Sequence, residues 1–274
     1  MNIHIDNFEQ NIVNEIIELF KKHYINYKPA KWKNIKTIKE FQKRYGKEHG
    51  TYLTPNEISN WKKVLKGSKE KGKKDYPKIK YVMINGIKTK AIWIPSCPWN
   101  DKVVQKEYIK KANDLLLQHF SDSNIDTVTI DLNQNFGGKD NVMIAALSPI
   151  FNMSKRKRYV YFKTKSGLKP GLYKIADGCY DSYSNPMICG SKKVLSNIKK
   201  INVLIGETAS AGEVIAIAFK SISDQFSINF YGYKTSGYTS YIKYFDLKNG
   251  GGIEFPIGYM ADAFGNVYYD GVKP

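Results

Sequence analysis

The stretch Ile201 to Lys220, INVLIGETASAGEVIAIAFK, decides how the rest of the chain is read. Ile201-Asn202-Val203-Leu204-Ile205 has the composition of a buried strand and breaks at Gly206. The chain then turns through Glu207-Thr208-Ala209-Ser210 and resumes with Val214, Ile217 and Ala218 at helical spacing. Small residues between strand and helix let backbone and solvent approach Ser210. A serine at a helix start has two readings. It can be an N-cap whose oxygen accepts a backbone N–H. It can also be a nucleophile, placed where unpaired N–H groups and the helix dipole favour a developing oxyanion. This segment alone leaves both open.

A second strand-to-helix junction lies upstream. Thr127-Val128-Thr129-Ile130-Asp131-Leu132 is a short strand, interrupted by Asn133-Gln134-Asn135-Phe136-Gly137-Gly138 and followed by a helix through Met143, Ile144 and Leu147. At the glycines, adjacent backbone N–H groups carry no side-chain obstruction. If the two junctions converge, N–H groups at Gly137, Gly138 and Ala211 form a candidate oxyanion hole beside the Ser210 hydroxyl, the geometry acyl transfer requires. The plainer reading is two Gly-assisted turns of an α/β sheet.

At 274 residues, the chain has room for one large domain, or one domain with a small subdomain. A hydrophobic share of 42% and an aromatic share of 14% describe a globular protein with a core. The formal charge of +18, from 43 Lys and Arg against 25 Asp and Glu, admits a nucleic-acid, membrane-surface or acidic partner. The lysines are spread along the chain and no nucleic-acid motif occurs, which argues against nucleic acid. Cys97, Cys179 and Cys189 show no C-x-x-C spacing, so neither a disulfide framework nor a zinc site is expected, and a reducing compartment follows. The N-terminus lacks a basic segment followed by an apolar run, and no stretch approaches about 20 apolar residues. The expectation is a cytoplasmic protein without a membrane span.

Residues 1–66 read as helical. Asp6 and Glu9 resemble a capping box, Ile35 to Tyr45 is a second helix ending at Gly46, and Thr54-Pro55-Asn56-Glu57 starts a third. The stretch 67–78 lies in a lysine-rich, glycine-containing run read as a basic linker. After it, Tyr81 to Pro95 carries a hairpin signal around Asn85-Gly86, and Lys102 to Phe120 reads as a helix. Between Lys163 and Ser191 the Gly, Ser, Pro and Tyr content suggests a long irregular insertion. Strands are expected at 226–231, 241–247 and 253–257. Alternating strands and helices after residue 80 imply an α/β layered fold over 79–274.

Four motifs in order resemble the S41 peptidases, the tail-specific or C-terminal processing proteases. Asp131-Leu132-Asn133-Gln134-Asn135-Phe136-Gly137-Gly138 matches a strand ending in Asp-Leu-Arg-x-Asn-x-Gly-Gly, with Asn133 in place of Arg. Thr208-Ala209-Ser210-Ala211-Gly212-Glu213 matches the nucleophile segment, and Gly232-Tyr233-Lys234-Thr235-Ser236-Gly237 the Gly-x-x-Thr-x-Gly loop. Asp262, Gly265, Tyr268 and Pro274 match the closing motif. The resemblance implies a ClpP/crotonase-like α/β fold and a serine endopeptidase working through an acyl-enzyme, with Ser210 as nucleophile and no cofactor or metal.

The base depends on the branch. In the C-terminal processing branch a catalytic Lys follows the Gly-x-x-Thr-x-Gly loop, with a Gln four residues later; here those positions hold Tyr238 and Ile242. A tyrosine, with an ordinary pKa of about 10, is a poor base for serine at neutral pH. Lys234 and Lys243 would need different loop geometry to replace the lysine. The compact branch without a PDZ insertion, which includes the nisin-resistance proteins, takes a histidine from an N-terminal helical region. Its motif is similar to Gly46-Lys47-Glu48-His49-Gly50-Thr51 here, so the resemblance implies His49 as general base. Its plainer role is an exposed loop residue. His23 and His119 fall at helix C-terminal ends, where the dipole favours them for structural reasons. Ser240 and Glu48 are candidates to orient the imidazole. Glu213 is assigned as site-shaping, against a plainer role as a first-turn acid.

The expected substrate is a peptide or protein bound between the N-terminal helices and the α/β core, with the cationic body favouring acidic or carboxylate-terminated segments. Two alternatives stand beside the peptidase: a catalytically inactive peptide-binding homologue, and a basic nucleic-acid-associated protein.

Overall fold

The computed structural model describes residues 2–46, 50–60, 74–183 and 185–274. The chain forms two compact units. The first comprises residues 1–71, 164–167 and 240–259, and the second residues 72–163, 168–239 and 260–274.

In the first unit, α1 (Asn2–His23) buries Ile12, Val13, Ile16 and Phe20 along one face, as their spacing of three to four residues dictates. Lys21, Lys22 and His23 occupy its last turn, where the dipole favours cations, and the Lys165 ammonium reaches the Lys21 carbonyl at 2.9 Å. A 3₁₀ turn, Pro29–Trp32, leads to α2 (Ile38–Tyr45), which starts with a capping box between Thr37 and Glu40. Gly46, at φ 68°, ends it.

The chain after Gly46 differs from the all-helical expectation. Thr51–Leu53 is a strand, β1, paired antiparallel with β12 (Gly252–Ala261), which in turn pairs antiparallel with β11 (Ser240–Asp246). A Cβ at Gly50 would sit 2.2 Å from the Glu254 carbonyl oxygen, so only glycine lets β1 approach β12. Residues 55–60 form α3, entered through the anticipated cap: the Glu57 N–H donates to Thr54 Oγ1 at 3.2 Å.

The reason these distant segments share a unit is aromatic. Phe20 meets Tyr24, Trp32, Phe41, Tyr45 and Phe255 with ring centroids 4.6 to 5.6 Å apart, and Phe245 stacks on Phe255 at 4.8 Å. Such tilted and edge-on pairs each add to what area burial alone provides. The N-terminal helices therefore close over a hairpin from the C-terminal half. Residues 67–73, most of the expected 67–78 linker, lie outside the described residues.

In the second unit, β2 (Lys78–Ile84) and β3 (Ile87–Trp93) form the expected hairpin, with Asn85 and Gly86 both at positive φ as a type I′ turn requires. The helix α4 (Lys102–Phe120) is capped by Asp101, whose carboxylate accepts the Val103 N–H at 2.8 Å. Next come β4 (Thr127–Asp131), α5 (Asp140–Ala146), α6 (Ser148–Phe151) and β5 (Arg158–Thr164). The stretch expected to be an irregular insertion is instead a meander of β6 (Gly167–Ala176), β7 (Cys179–Ser182) and β8 (Asn185–Cys189), neighbours in that order after β5. Its turn residues and half-exposed faces dilute the hydrophobic pattern that marks a strand. The remaining elements are β9 (Lys200–Ile205), α7 (Ala211–Lys220) and β10 (Ser227–Gly232). A five-stranded sheet runs β10-β9-β4-β3-β2, parallel from β10 to β3 with β2 antiparallel at the edge.

The register of β7 on β8 sets Cys179 opposite Cys189, and the two form a disulfide. This corrects the expectation that the cysteines stay unpaired. Cys97 lies outside the bridge, keeps its thiol and is buried. Thiol titration without reductant should therefore find no reactive thiol in the native protein and one after unfolding. Three thiols after unfolding without reductant would remove the bridge. Among the described residues, no helix is long and apolar enough to cross a membrane.

Candidate active site

The strands β4 and β9 are parallel neighbours, with Asp131 opposite Leu204. The loops that leave their C-terminal ends must therefore emerge side by side, the usual place for a site in an open α/β sheet. The Thr208 hydroxyl donates to the Leu132 carbonyl at 2.8 Å, and the Ala209 N–H to the Asn135 carbonyl at 2.8 Å. A Cβ at Gly137, where φ is 101°, would lie 2.9 Å from both Ser210 Cβ and the Ala211 nitrogen. The two junctions converge, and a side chain at residue 137 would push them apart.

Asn135 joins them. Its fully buried amide donates to the Ile94 carbonyl at 2.9 Å, and its Oδ1 accepts the Gly137 N–H at 2.9 Å. The Gly137 N–H is thus engaged by Asn135, and the glycine allows the close approach. Gly138, exposed and at φ 119°, and Ala211, first residue of α7, stand at the same junction. Sequence reasoning passed over Asn135 as a role-bearing residue, although it stands inside the quoted motif.

Ser210 is exposed and has φ 54° and ψ −121°. An ordinary N-cap has extended backbone. A non-glycine residue at positive φ stores strain, and such strain gathers at functional sites. Its carbonyl accepts the Glu213 and Val214 N–H groups at 2.9 and 3.1 Å, and its own N–H donates to Glu213 Oε2 at 2.9 Å. The backbone is held at both ends of the residue in a sharp strand-to-helix turn that leaves the serine in solvent.

Glu213 does more than complement the dipole. Fully buried, it accepts Ser210 N–H through Oε2, and through Oε1 the Thr235 hydroxyl at 2.5 Å and the Gly237 N–H at 2.9 Å. Burial pushes its pKa above the ordinary value, and these hydrogen bonds oppose the rise. Thr235 in turn accepts the Val272 N–H at 2.7 Å, so one carboxylate ties the Ser210 turn to the 232–239 loop and the C-terminal segment. The closing motif is also a hub: Asp262 accepts the Phe264 and Asn266 N–H groups and the Tyr268 hydroxyl.

His49 and Glu48 lie outside the described residues. Ser240 opens β11 in the first unit, opposite Tyr259, and Lys243 lies over the Phe245 ring in the same unit. The Lys234 ammonium is paired with Asp270 at 2.8 Å. Tyr238 is exposed on the loop that Glu213 holds. Asn133 receives the Glu207 N–H on its Oδ1 at 3.1 Å and the Trp93 indole N–H on its carbonyl at 3.0 Å. His23 and His119 occupy the last turns of α1 and α4 as expected.

Ser210 is thus an exposed side chain on a tight turn whose backbone is fixed by Glu213. The family model for peptidase family S41 matches residues 78–274, and the chain belongs to that family. A nisin-resistance protein of Lactococcus lactis subsp. lactis is 29% identical over 152 residues, covering 53% of this chain and 44% of the relative. The match thus spans less than half the length of that curated relative. In fold, the chain is similar to a lipoprotein of Streptococcus agalactiae, with TM-score 0.56, 18% identity, and coverage of 97% of this chain and 90% of the other. A Parabacteroides merdae protein gives TM-score 0.54 at 14% identity, covering 98% and 87%.

Proposed function

We propose that the chain is a serine endopeptidase with a ClpP/crotonase-like core over residues 79–274, Ser210 as nucleophile and His49 as general base. The carrying observation is Ser210, exposed at positive φ with its N–H fixed by Glu213 and Gly137 drawn against its side chain. In the reaction, the imidazole takes the serine proton as Oγ attacks the peptide carbonyl. The Gly138 and Ala211 N–H groups hold the oxyanion, and the proton passes to the leaving amine. Water then hydrolyses the acyl-enzyme by the same steps in reverse roles. Glu213 positions the nucleophile and touches no substrate atom, and Ser240 remains the candidate to orient the imidazole.

The substrate class is peptide or protein. With a charge of +18, steering should favour acidic or carboxylate-terminated peptides. The Cys179–Cys189 bridge supports an oxidising compartment in place of the cytoplasm. The second reading, a peptide-binding homologue without catalysis, is favoured by Asn133 at the family's arginine position.

Hydrolysis of peptide pools by wild type and His49→Ala tests the mechanism. The expected loss in His49→Ala is on the order of 10³-fold with the fold intact, and cleavage of acidic peptides should weaken as salt passes about 0.1 M. Unchanged hydrolysis in His49→Ala would remove the histidine from the mechanism. No hydrolysis by folded wild type would leave the binding reading.

A further inference from the structure

Three aromatic rings face solvent on the loops that build the Ser210 junction: Phe136, Tyr233 and Tyr238, exposed by 61%, 81% and 51%. Each sits on backbone that is fastened. The Phe136 N–H donates to Ser96 Oγ at 2.7 Å, and its neighbours are the buried Asn135 and the Gly137 that approaches Ser210. The Tyr233 N–H donates to the Ile205 carbonyl at 3.2 Å. Its ring edge lies 3.9 Å from where a Cβ would stand on Gly206, the residue that begins the turn to Ser210. The Tyr238 N–H bonds Glu213, which also holds the Ser210 N–H.

Fastened backbone thus presents three exposed aromatic side chains on the two loops, 133–138 and 232–239, that are tied to the Ser210 turn. Single exposed apolar residues are ordinary, but a group of them around one site marks a binding surface. The charges on the same loops are mixed, with Lys139 directly after Gly138. Lys234 is paired with Asp270, and Glu207 is exposed in the turn that leads to Ser210.

We propose that Phe136, Tyr233 and Tyr238 form a subsite that takes a large apolar or aromatic side chain of a peptide, next to the bond offered to Ser210. What happens to that bond rests on the peptidase reading; the binding preference does not. Overall charge would steer acidic chains toward the protein, while the residue beside the scissile bond is chosen by the rings.

The test uses Ser210→Ala protein, so that binding is read without turnover. Fluorescent decapeptide pools, fixed at one central position as Phe, Leu, Asp or Lys and random elsewhere, are titrated by anisotropy. Burying one such side chain predicts that the Phe and Leu pools bind about tenfold or more tightly than the Asp pool. Adding Phe136→Asp, or separately Tyr233→Asp, should shrink that ratio to about threefold or less, and both positions are exposed enough for the fold to survive. Equal binding of the pools, or a preference that survives both substitutions, would overturn the subsite. Hydrolysis by wild type, run in parallel, decides the peptidase reading on its own: absence of turnover with the preference intact would discard the chemistry and keep the subsite.

Discussion

Ser210→Ala is expected to lower peptide hydrolysis by on the order of 10⁴-fold or more, with little change in thermal unfolding. The size follows from what is removed. The hydroxyl is the only atom group the substitution deletes, and the proposed oxyanion donors at Gly138 and Ala211 stay in place, so any remaining rate is what polarisation and binding provide. The fold should tolerate the change because Ser210 is exposed and its structural bonds, to Glu213 and Val214, run through its backbone. Steady-state kinetics beside a melting curve reads both. A variant that retains a tenth of wild-type activity would mean that another group attacks the peptide.

Glu213→Gln is expected to cost about 10²-fold in kcat with KM little altered. The carboxylate has only acceptors and here serves three N–H groups, of Ser210, Gly237 and Tyr238, and one hydroxyl. An amide keeps one acceptor oxygen and turns a donor toward groups that already donate, so the bonds on one side of the group, those of Ser210 among them, lose their acceptor when the amide nitrogen faces them. Ser210 would then no longer be held at positive φ, and the effect should appear in kcat because the nucleophile is misplaced while the substrate surface remains. The pH dependence gives a second signature. The folded-state pKa lies above that of an unfolded glutamate, so the carboxyl's contribution to stability is complete below the ordinary glutamate range and declines as pH rises through the folded value. Activity runs the opposite way, since the charged form is the one that accepts every bond. The stability difference between wild type and Glu213→Gln should therefore vary with pH above the ordinary glutamate range. A flat difference with unchanged kcat would reduce Glu213 to an ordinary first-turn acid.

The sequence made the two junctions legible because their chemistry is local. A run of small residues between a buried strand and an apolar helix can be read without knowing what lies across from it. Gly137 was legible as a required glycine but not as a spent donor, because only the fold shows that Asn135 Oδ1 claims its N–H. Glu213 was placed correctly on the helix start, while its hold on Thr235 and Gly237 depends on a loop more than twenty residues away. The Cys179–Cys189 bridge depends on strand register, which spacing alone does not reveal. The meander of β6 to β8 was hidden for a related reason: short, half-exposed strands rich in Gly, Pro and Tyr resemble loops until their ladders are seen. The aromatic cluster around Phe20 shows the same limit at larger scale, since Phe245 and Phe255 give no local sign that α1 and α2 will cover them.

The central claim is that Ser210 is an activated nucleophile, and covalent labelling addresses it most directly. Wild-type protein treated with a fluorophosphonate should gain one adduct mass per chain, mapped by peptide mass spectrometry to the segment containing Ser210, with no adduct on Ser210→Ala. Folded wild type that takes up no probe, or an adduct that maps to a different serine, would contradict the account.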